Sequence, residues 1–216
     1  MRLSFYYPPA RFFYARKYFN YPIKILDIGC ANDSPKVTKI WFPNSTYHGV
    51  DIVRRVDINI DKFYLVNPDQ FAGYDDVRDE YYDFVILNHV VEHLKDPNQL
   101  VDIACSKLKP DGLLWIAFPS PDSLNFPSGV GTLNFSDDPT HIHICDVVNL
   151  SNKIILNRLK IVIAGKSRDP LRFFIGLCVL PIAIITRIIS GRYMIKGLWY
   201  LYGFEDRIIA IKNRNP

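Results

Sequence analysis

The sequence predicts an α/β fold in which a parallel sheet is flanked by helices. Three observations support this: apolar runs of strand length recur along the 216 residues, several are apolar throughout instead of alternating, and helical stretches separate them. With 49% hydrophobic and 22% charged residues the chain has ordinary globular usage, which excludes disordered, collagen-like and coiled-coil designs. Its length fits one domain with appendages.

In chain order, strands are expected at 23–28 (IKILDI), 46–51 (TYHGVD), 82–88 (YDFVILN), 113–118 (LLWIAF), 159–164 (LKIVIA) and 207–212 (RIIAIK), with a weaker one at 55–60. The clearest helix is 96–108. Pro97 suits its first turn, Leu100, Ile103, Ala104 and Leu108 share one face, and Lys109-Pro110-Asp111-Gly112 stops it. Three segments depart from the alternation. Residues 1–21 hold nine aromatics interleaved with Arg2, Arg11, Arg16 and Lys17. Residues 119–144 form a long Pro-, Ser-, Asp- and Gly-rich connection of the kind that is usually functional. Residues 170–201 are an apolar helical insertion whose uncharged core, Phe173–Thr186, has 14 residues, short of the roughly 20 that span a bilayer. It is expected either as a buried helical hairpin or as a helix in the membrane interface, anchored by Trp199, Tyr200 and its Arg and Lys residues.

Charge is unevenly spread. Residues 1–152 carry 14 Lys/Arg against 19 Asp/Glu, a net −5, and residues 153–216 carry 12 against 3, a net +9. A basic end beside apolar sequence suits an anionic partner such as a membrane surface, an acidic glycan or nucleic acid. The four cysteines form no CxxC pair and follow no secretory leader, so a reducing, cytoplasmic setting is expected, with association at the inner face of the cell membrane as its extension.

The chemistry concentrates in ILDIGCANDSP at 25–35, where a strand ends in Asp27 and Gly29 and a helix begins near Ser34 and Pro35. Such a turn brings backbone N–H groups and small side chains to the carboxyl edge of the sheet. A pyrophosphate-binding turn would read GxGxxG, and Asp27 would repel a diphosphate, so an acid here better suits a cationic amino acid moiety. Asp51 ends the next strand, 24 residues later, where a carboxylate can accept from both hydroxyls of a ribose.

Leu26-Asp27-Ile28-Gly29-Cys30, the acid Asp51, and the stretch 82–121 with Val90-Val91-Glu92-His93 resemble the class I S-adenosylmethionine-dependent methyltransferases, in the branch of type 11 and type 23 domains. The resemblance covers about residues 22–120. It implies a Rossmann-like seven-stranded sheet, order 3-2-1-4-5-7-6 with the last strand antiparallel, and S-adenosyl-L-methionine as cofactor. The residues it assigns to the cofactor are Asp27, Gly29, Cys30, Ala31, Asp51, Ile52, Asn88 and His89, with Asp57, Asn59 or Asp61 as an acid near the adenine. It also implies that 1–21 closes over the domain at 22–216 as a lid and that 119–144 contacts the acceptor. Ala31 and Asn32 replace the usual second glycine, so a crowded loop is expected.

For catalysis, His141 is the expected general base, with His143 and His89 as further candidates and His93 as a packed neighbour. No metal is expected; the alternative is an HxH site, His141 and His143 with Asp137, Asp138 and Asp146. The expected reaction is O-methylation of a sugar, glycan or other small-molecule hydroxyl, with a lipid-linked acceptor and anionic membrane contact in keeping with the basic end. An RNA or protein methyltransferase is the runner-up, supported by pI 8.8 but by no recognisable RNA-binding module or NPPY sequence, so nucleic acid is not the expected partner. A catalytically degenerate, membrane-peripheral binding subunit is the third reading.

Overall fold

The computed structural model describes residues 7–54, 56–129, 133–191 and 198–214; Arg2, Arg192 and Lys196, expected as part of the basic faces, lie outside the described residues. The strands are β1 (Lys24–Ile28), β2 (Thr46–Asp51), β3 (Lys62–Leu65), β4 (Tyr82–Asn88), β5 (Leu108–Pro119), β6 (Leu159–Lys166) and β7 (Glu205–Lys212). They form one sheet in the order β3-β2-β1-β4-β5-β7-β6, as expected. β3 through β5 pair in parallel, whereas β7 runs antiparallel to both β5 and β6.

The all-apolar strands are explained by burial on two sides. Ile25, Phe84, Ile86 and Trp115 pack on one face with Phe12 and Phe42, and Leu26, Val85, Leu87 and Leu114 pack on the other with Leu100 and Ala104. Successive strand residues therefore serve opposite cores, each fully buried side chain contributing about 1.5–3 kcal/mol. At the sheet's edge β6 alternates half-buried and exposed positions after the buried Leu159, as one-sided coverage requires.

The helices are α1 (Ala10–Tyr14), α2 (Ser34–Trp41), α3 (Pro97–Lys107), α4 (Val147–Leu156), α5 (Pro170–Ser190) and α6 (Trp199–Tyr202). α3 matches the expected helix: the Asp96 side chain caps it by accepting from Gln99 N at 3.1 Å, and Pro97 occupies the first turn.

Two expectations fail. Of the weak strand at 55–60, Arg55 lies outside the described residues and 56–60 is instead a turn, in which Asp57 Oδ1 accepts from both Asn59 N and Asn59 Nδ2 at 2.7 Å, and Ile60 N donates to Asp57 O at 3.0 Å. Val56 and Ile58, which made this stretch look strand-like, are exposed, and the strand forms at Lys62–Leu65. The second failure is the buried hairpin. α5 is one helix of 21 residues with only Gly176 and Ala183 buried, about 31 Å long at 1.5 Å per residue. It exceeds the uncharged run because Arg172 and Arg187 belong to its first and last turns, and by length and composition it could cross a membrane.

Candidate active site

The carboxyl edge of the parallel strands carries two neighbouring cavities that share the β1–α2 turn. Gly29 makes that turn possible: its φ is +75°, and a Cβ there would lie 2.3 Å from Val90 Cγ2. Ala31 also has positive φ, +46°, so the expected crowding takes the form of a side chain held in the left-handed region. Asp51, at the end of β2, braces the turn: its Oδ2 accepts from Ala31 N at 3.1 Å and its Oδ1 from Val53 N at 3.2 Å.

The larger cavity, about 430 Å³, is bounded by Gly29, Ala31, Asp51 and Ile52 on one side and by Val66, Tyr74, Val90, His93, Leu94 and Thr140 on the other. It is an apolar slot with a single acid at one end. The smaller, about 360 Å³, holds Asp27, Cys30, Asn88 and Glu205 together with Arg11 of α1, Arg172 of α5, and Trp199 and Tyr200 of α6. Gly29, Ala31 and His89 line both. The structure thus brings the expected cofactor residues together, except Asp57, which lies on a separate surface cleft with Arg54 and Lys62 because its turn points it away from β2's end. Of the two other adenine candidates, Asn59 shares that turn, and Asp61 is held by Lys39 Nζ and Tyr47 N, each 2.7 Å away.

Asp27 is 1% exposed; Ser34 Oγ and the Tyr47 hydroxyl both donate to its Oδ2, the latter at 2.7 Å. Burial raises its pKa, against the opposing pull of Arg11. The Arg11 Nη2 donates to Ser34 Oγ at 3.3 Å, while its Nε is buried with no hydrogen-bond partner. A buried donor of this kind is costly unless a ligand supplies the acceptor.

His89 stands between the cavities with φ +57°. Its Nδ1 lies 3.1 Å from Glu92 Oε1 and its Nε2 2.9 Å from Glu205 Oε2. Burial alone would lower its pKa, but the two carboxylates push it up to about 10. The two carboxylates thus favour the charged ring, a pairing that weighs against the expected role of His89 as a base.

His141, the expected base, lines neither cavity. Its Nδ1 donates to Phe135 O at 2.8 Å, and its ring packs between Phe135 and His93, with centroids 4.7 and 4.9 Å away. The HxH site does not assemble either: Asp146 caps α4, Asp137 caps the turn Phe135–Asp137, and His143 stands outside the ligand group that His141 joins. That group is Glu92, His93 and His141, whose ligand atoms lie within 4.8 Å of one another. Sequence reasoning missed Glu92 and Glu205 as partners of His89, and Arg11, Arg172, Trp199 and Tyr200 as cavity walls. The VVEHL stretch marked Glu92, but nothing local linked it to His141, 49 positions on, or linked His89 to Glu205, 116 positions on.

The expected fold has solved counterparts. A methyltransferase from Archaeoglobus fulgidus, described as S-adenosylmethionine-dependent, is 22% identical with TM-score 0.60, over 94% of this chain and 92% of its own. One from Mesorhizobium loti, described likewise, is 11% identical with TM-score 0.61, over 94% and 98%. Phosphoethanolamine N-methyltransferase 2 of Haemonchus contortus, solved with phosphomonomethylethanolamine and S-adenosylhomocysteine, is 13% identical with TM-score 0.59, over 94% of this chain and 52% of its own. No curated protein matches the chain. A sequence profile described as a methyltransferase domain, the type 23 family, matches residues 6–152, more than half of the chain. With that profile laid over the strands, turn and cavities described above, the chain belongs to the type 23 methyltransferase domain family and has the class I methyltransferase fold.

Proposed function

We propose that this enzyme methylates a hydroxyl of a sugar, a glycan or another small acceptor, and that the acceptor is presented at an anionic membrane surface on the inner face of the cell membrane. S-adenosylmethionine, when bound, supplies a methyl group on a sulfonium centre. The residues of both cavities fit it. Asp51 would hold the ribose hydroxyls, Val66, Tyr74 and Leu94 would flank the adenine, and Ile52 would cover it. The Arg11 Nε, buried and unpartnered, would receive the carboxylate of the amino acid moiety, with Asp27 beyond it as the acid for the ammonium group. Trp199, Tyr200, Arg172 and Asn88 would then face the acceptor, an aromatic and polar wall suited to a hydroxylated ligand. What these residues contribute is alignment of the acceptor oxygen with the methyl carbon in a site shielded from water.

The observation that carries the acceptor half is the continuity of α5 with the smaller cavity. Arg172, in the helix's first turn, lines that cavity, hydrogen-bonds the Tyr200 hydroxyl at 3.2 Å and contacts Asp169 at 3.3 Å. Farther along, Phe174, Ile185, Ile188 and Ile189 are 62, 55, 77 and 80% exposed, an apolar surface beside Arg168, Arg172 and Arg187. Gly176 is also buried, and Ala183 packs with Leu133, Leu198 and Phe204, so the helix lies along the domain, a posture for resting on a bilayer instead of crossing it.

The test is flotation with phosphatidylglycerol–phosphatidylcholine vesicles, combined with methyl-labelled cofactor and a panel of sugar and lipid-linked glycan acceptors. Binding at low salt, release at high salt and label on an acceptor oxygen are expected, each basic residue contributing about 1 kcal/mol at the surface. Protein that stays in the soluble fraction at low salt, or label found only on RNA or protein, refutes the acceptor assignment. Calorimetry showing no S-adenosylmethionine binding refutes the cavity assignments.

A further inference from the structure

We propose that Glu92, His93 and His141 form a site for a divalent transition-metal ion at the edge of the larger cavity. Three independent features point to it. First, the tautomers are fixed. His141 Nδ1 lies 2.8 Å from Phe135 O and His93 Nδ1 lies 3.0 Å from Thr140 O, and because a carbonyl oxygen only accepts, both Nδ1 atoms carry the proton. Thr140 reinforces this, since its hydroxyl donates to Asp138 Oδ1 at 2.6 Å and offers its own oxygen to His93 Nδ1 at 3.0 Å. In the neutral form of each ring this leaves Nε2 as the lone-pair donor. An imidazole whose other N–H is spent on a backbone carbonyl is the usual arrangement of a metal-binding histidine.

Second, Glu92 is 0% exposed, and although its Oε1 accepts from His89, its Oε2 is buried with no hydrogen-bond partner. His89 serves Oε1 alone, so the buried Oε2 is the oxygen that a metal ion would complete. Third, His141 Nε2 lies 4.0 Å from Glu92 Oε1 and 3.9 Å from Asp138 Oδ2, so a cation held there would meet carboxylates as well as the imidazole.

The three ligand atoms lie within 4.8 Å of one another, and metal–ligand bonds of about 2.0–2.2 Å would draw them together by roughly 1 Å. Two imidazoles and one carboxylate suit Zn²⁺, Co²⁺, Mn²⁺ or Fe²⁺ over Ca²⁺ and Mg²⁺. Three protein ligands leave further positions open, and His93 and Thr140 already belong to the cavity wall.

Chelator-stripped full-length protein titrated with CoCl₂ should develop visible ligand-field absorption that saturates at one equivalent. Glu92→Gln and His141→Ala should weaken Co²⁺ binding at least tenfold while far-UV circular dichroism is unchanged. If those variants unfold, Zn²⁺ added to the ¹⁵N-labelled native protein should shift the Nε2 resonances of two of its five histidines and leave the other three in place. No saturable absorption in a hundredfold excess of Co²⁺, a titration unaltered in a His93→Ala, His141→Ala double variant, or no paired Nε2 shift overturns the site. S-adenosylmethionine calorimetry on the same sample reports separately on the cofactor reading: Co²⁺ bound without cofactor binding sinks that reading and leaves this one standing.

Discussion

Gly29→Ala is the most demanding single change in the shared turn, because two costs fall on one atom. The backbone at φ +75° penalises any side chain by about 1–2 kcal/mol. The new Cβ also lands 2.3 Å from Val90 Cγ2, well inside contact distance, which adds about 1–3 kcal/mol of overpacking. Val90 Cβ is 3.6 Å away, an ordinary contact, so Val90→Ala removes the clash and leaves the backbone cost alone. The double variant should therefore recover about 1–3 kcal/mol of what the single change loses, read as a coupling energy in a urea-denaturation cycle. Because Val90 and Gly29 both line the larger cavity, S-adenosylmethionine affinity should fall in the single variant and return in part in the double. A coupling energy below about 0.5 kcal/mol would mean that the turn relaxes around the methyl group, and the rigid-turn argument would fail.

Asp51→Asn should lower S-adenosylmethionine affinity at least tenfold, and should also cost about 1–3 kcal/mol of stability, since one of the backbone N–H groups at Ala31 and Val53 loses its acceptor. Calorimetry and thermal melting read the two effects, and an unchanged dissociation constant in a folded variant would remove Asp51 from the ribose. Ala31→Gly should do the reverse for stability, relieving the positive φ and raising Tm by about 2–4 °C in a scanning fluorimeter; a drop in Tm would show that Ala31 is unstrained. Among the four cysteines Cys178 is exposed on α5 and the other three are buried. A disulfide reagent should accordingly label one thiol in native protein and four in denaturant. Anionic vesicles should slow that single reaction, and an unchanged rate with protein bound to vesicles would place the bilayer on another face.

The parts of the fold legible in the sequence are those fixed by short-range pattern. Strands buried on both faces read as unbroken apolar runs, and the β1–α2 turn announces itself through Asp27, Gly29 and the small residues after them. Period and composition mislead where an apolar side chain is exposed: Val56 and Ile58 suggest a strand, but Asp57 hydrogen-bonds its own neighbours more readily than it joins a ladder. The site was legible at the ends of β1, β2 and β4, through Asp27, Gly29, Asp51, Asn88 and His89, but not in the partners that distant segments bring to it. Glu205 reaches His89 across 116 positions, and His141 meets His93 only after the 119–144 connection folds back, with Ile142 N and His143 N both donating to Glu92 O at 3.0 Å. Such pairings depend on sheet order and loop path, which no local pattern encodes.

The placement of His89 has a consequence for how the protein comes into being. Its backbone N–H donates to Ala117 O on β5, its Nδ1 meets Glu92 just after β4, and its Nε2 meets Glu205, the first residue of β7. The partition between the cavities is thus finished by β7, which follows the other six strands of this sheet in sequence. A nascent chain that has emerged only through β5 can pair the parallel half of its sheet and form the Gly29 turn, yet its partition stands without the far wall, and the charged ring has one carboxylate instead of two. Until the carboxyl-terminal strand threads between β5 and β6, the parallel half is a scaffold open on one side, so competence to bind arrives in a single late step.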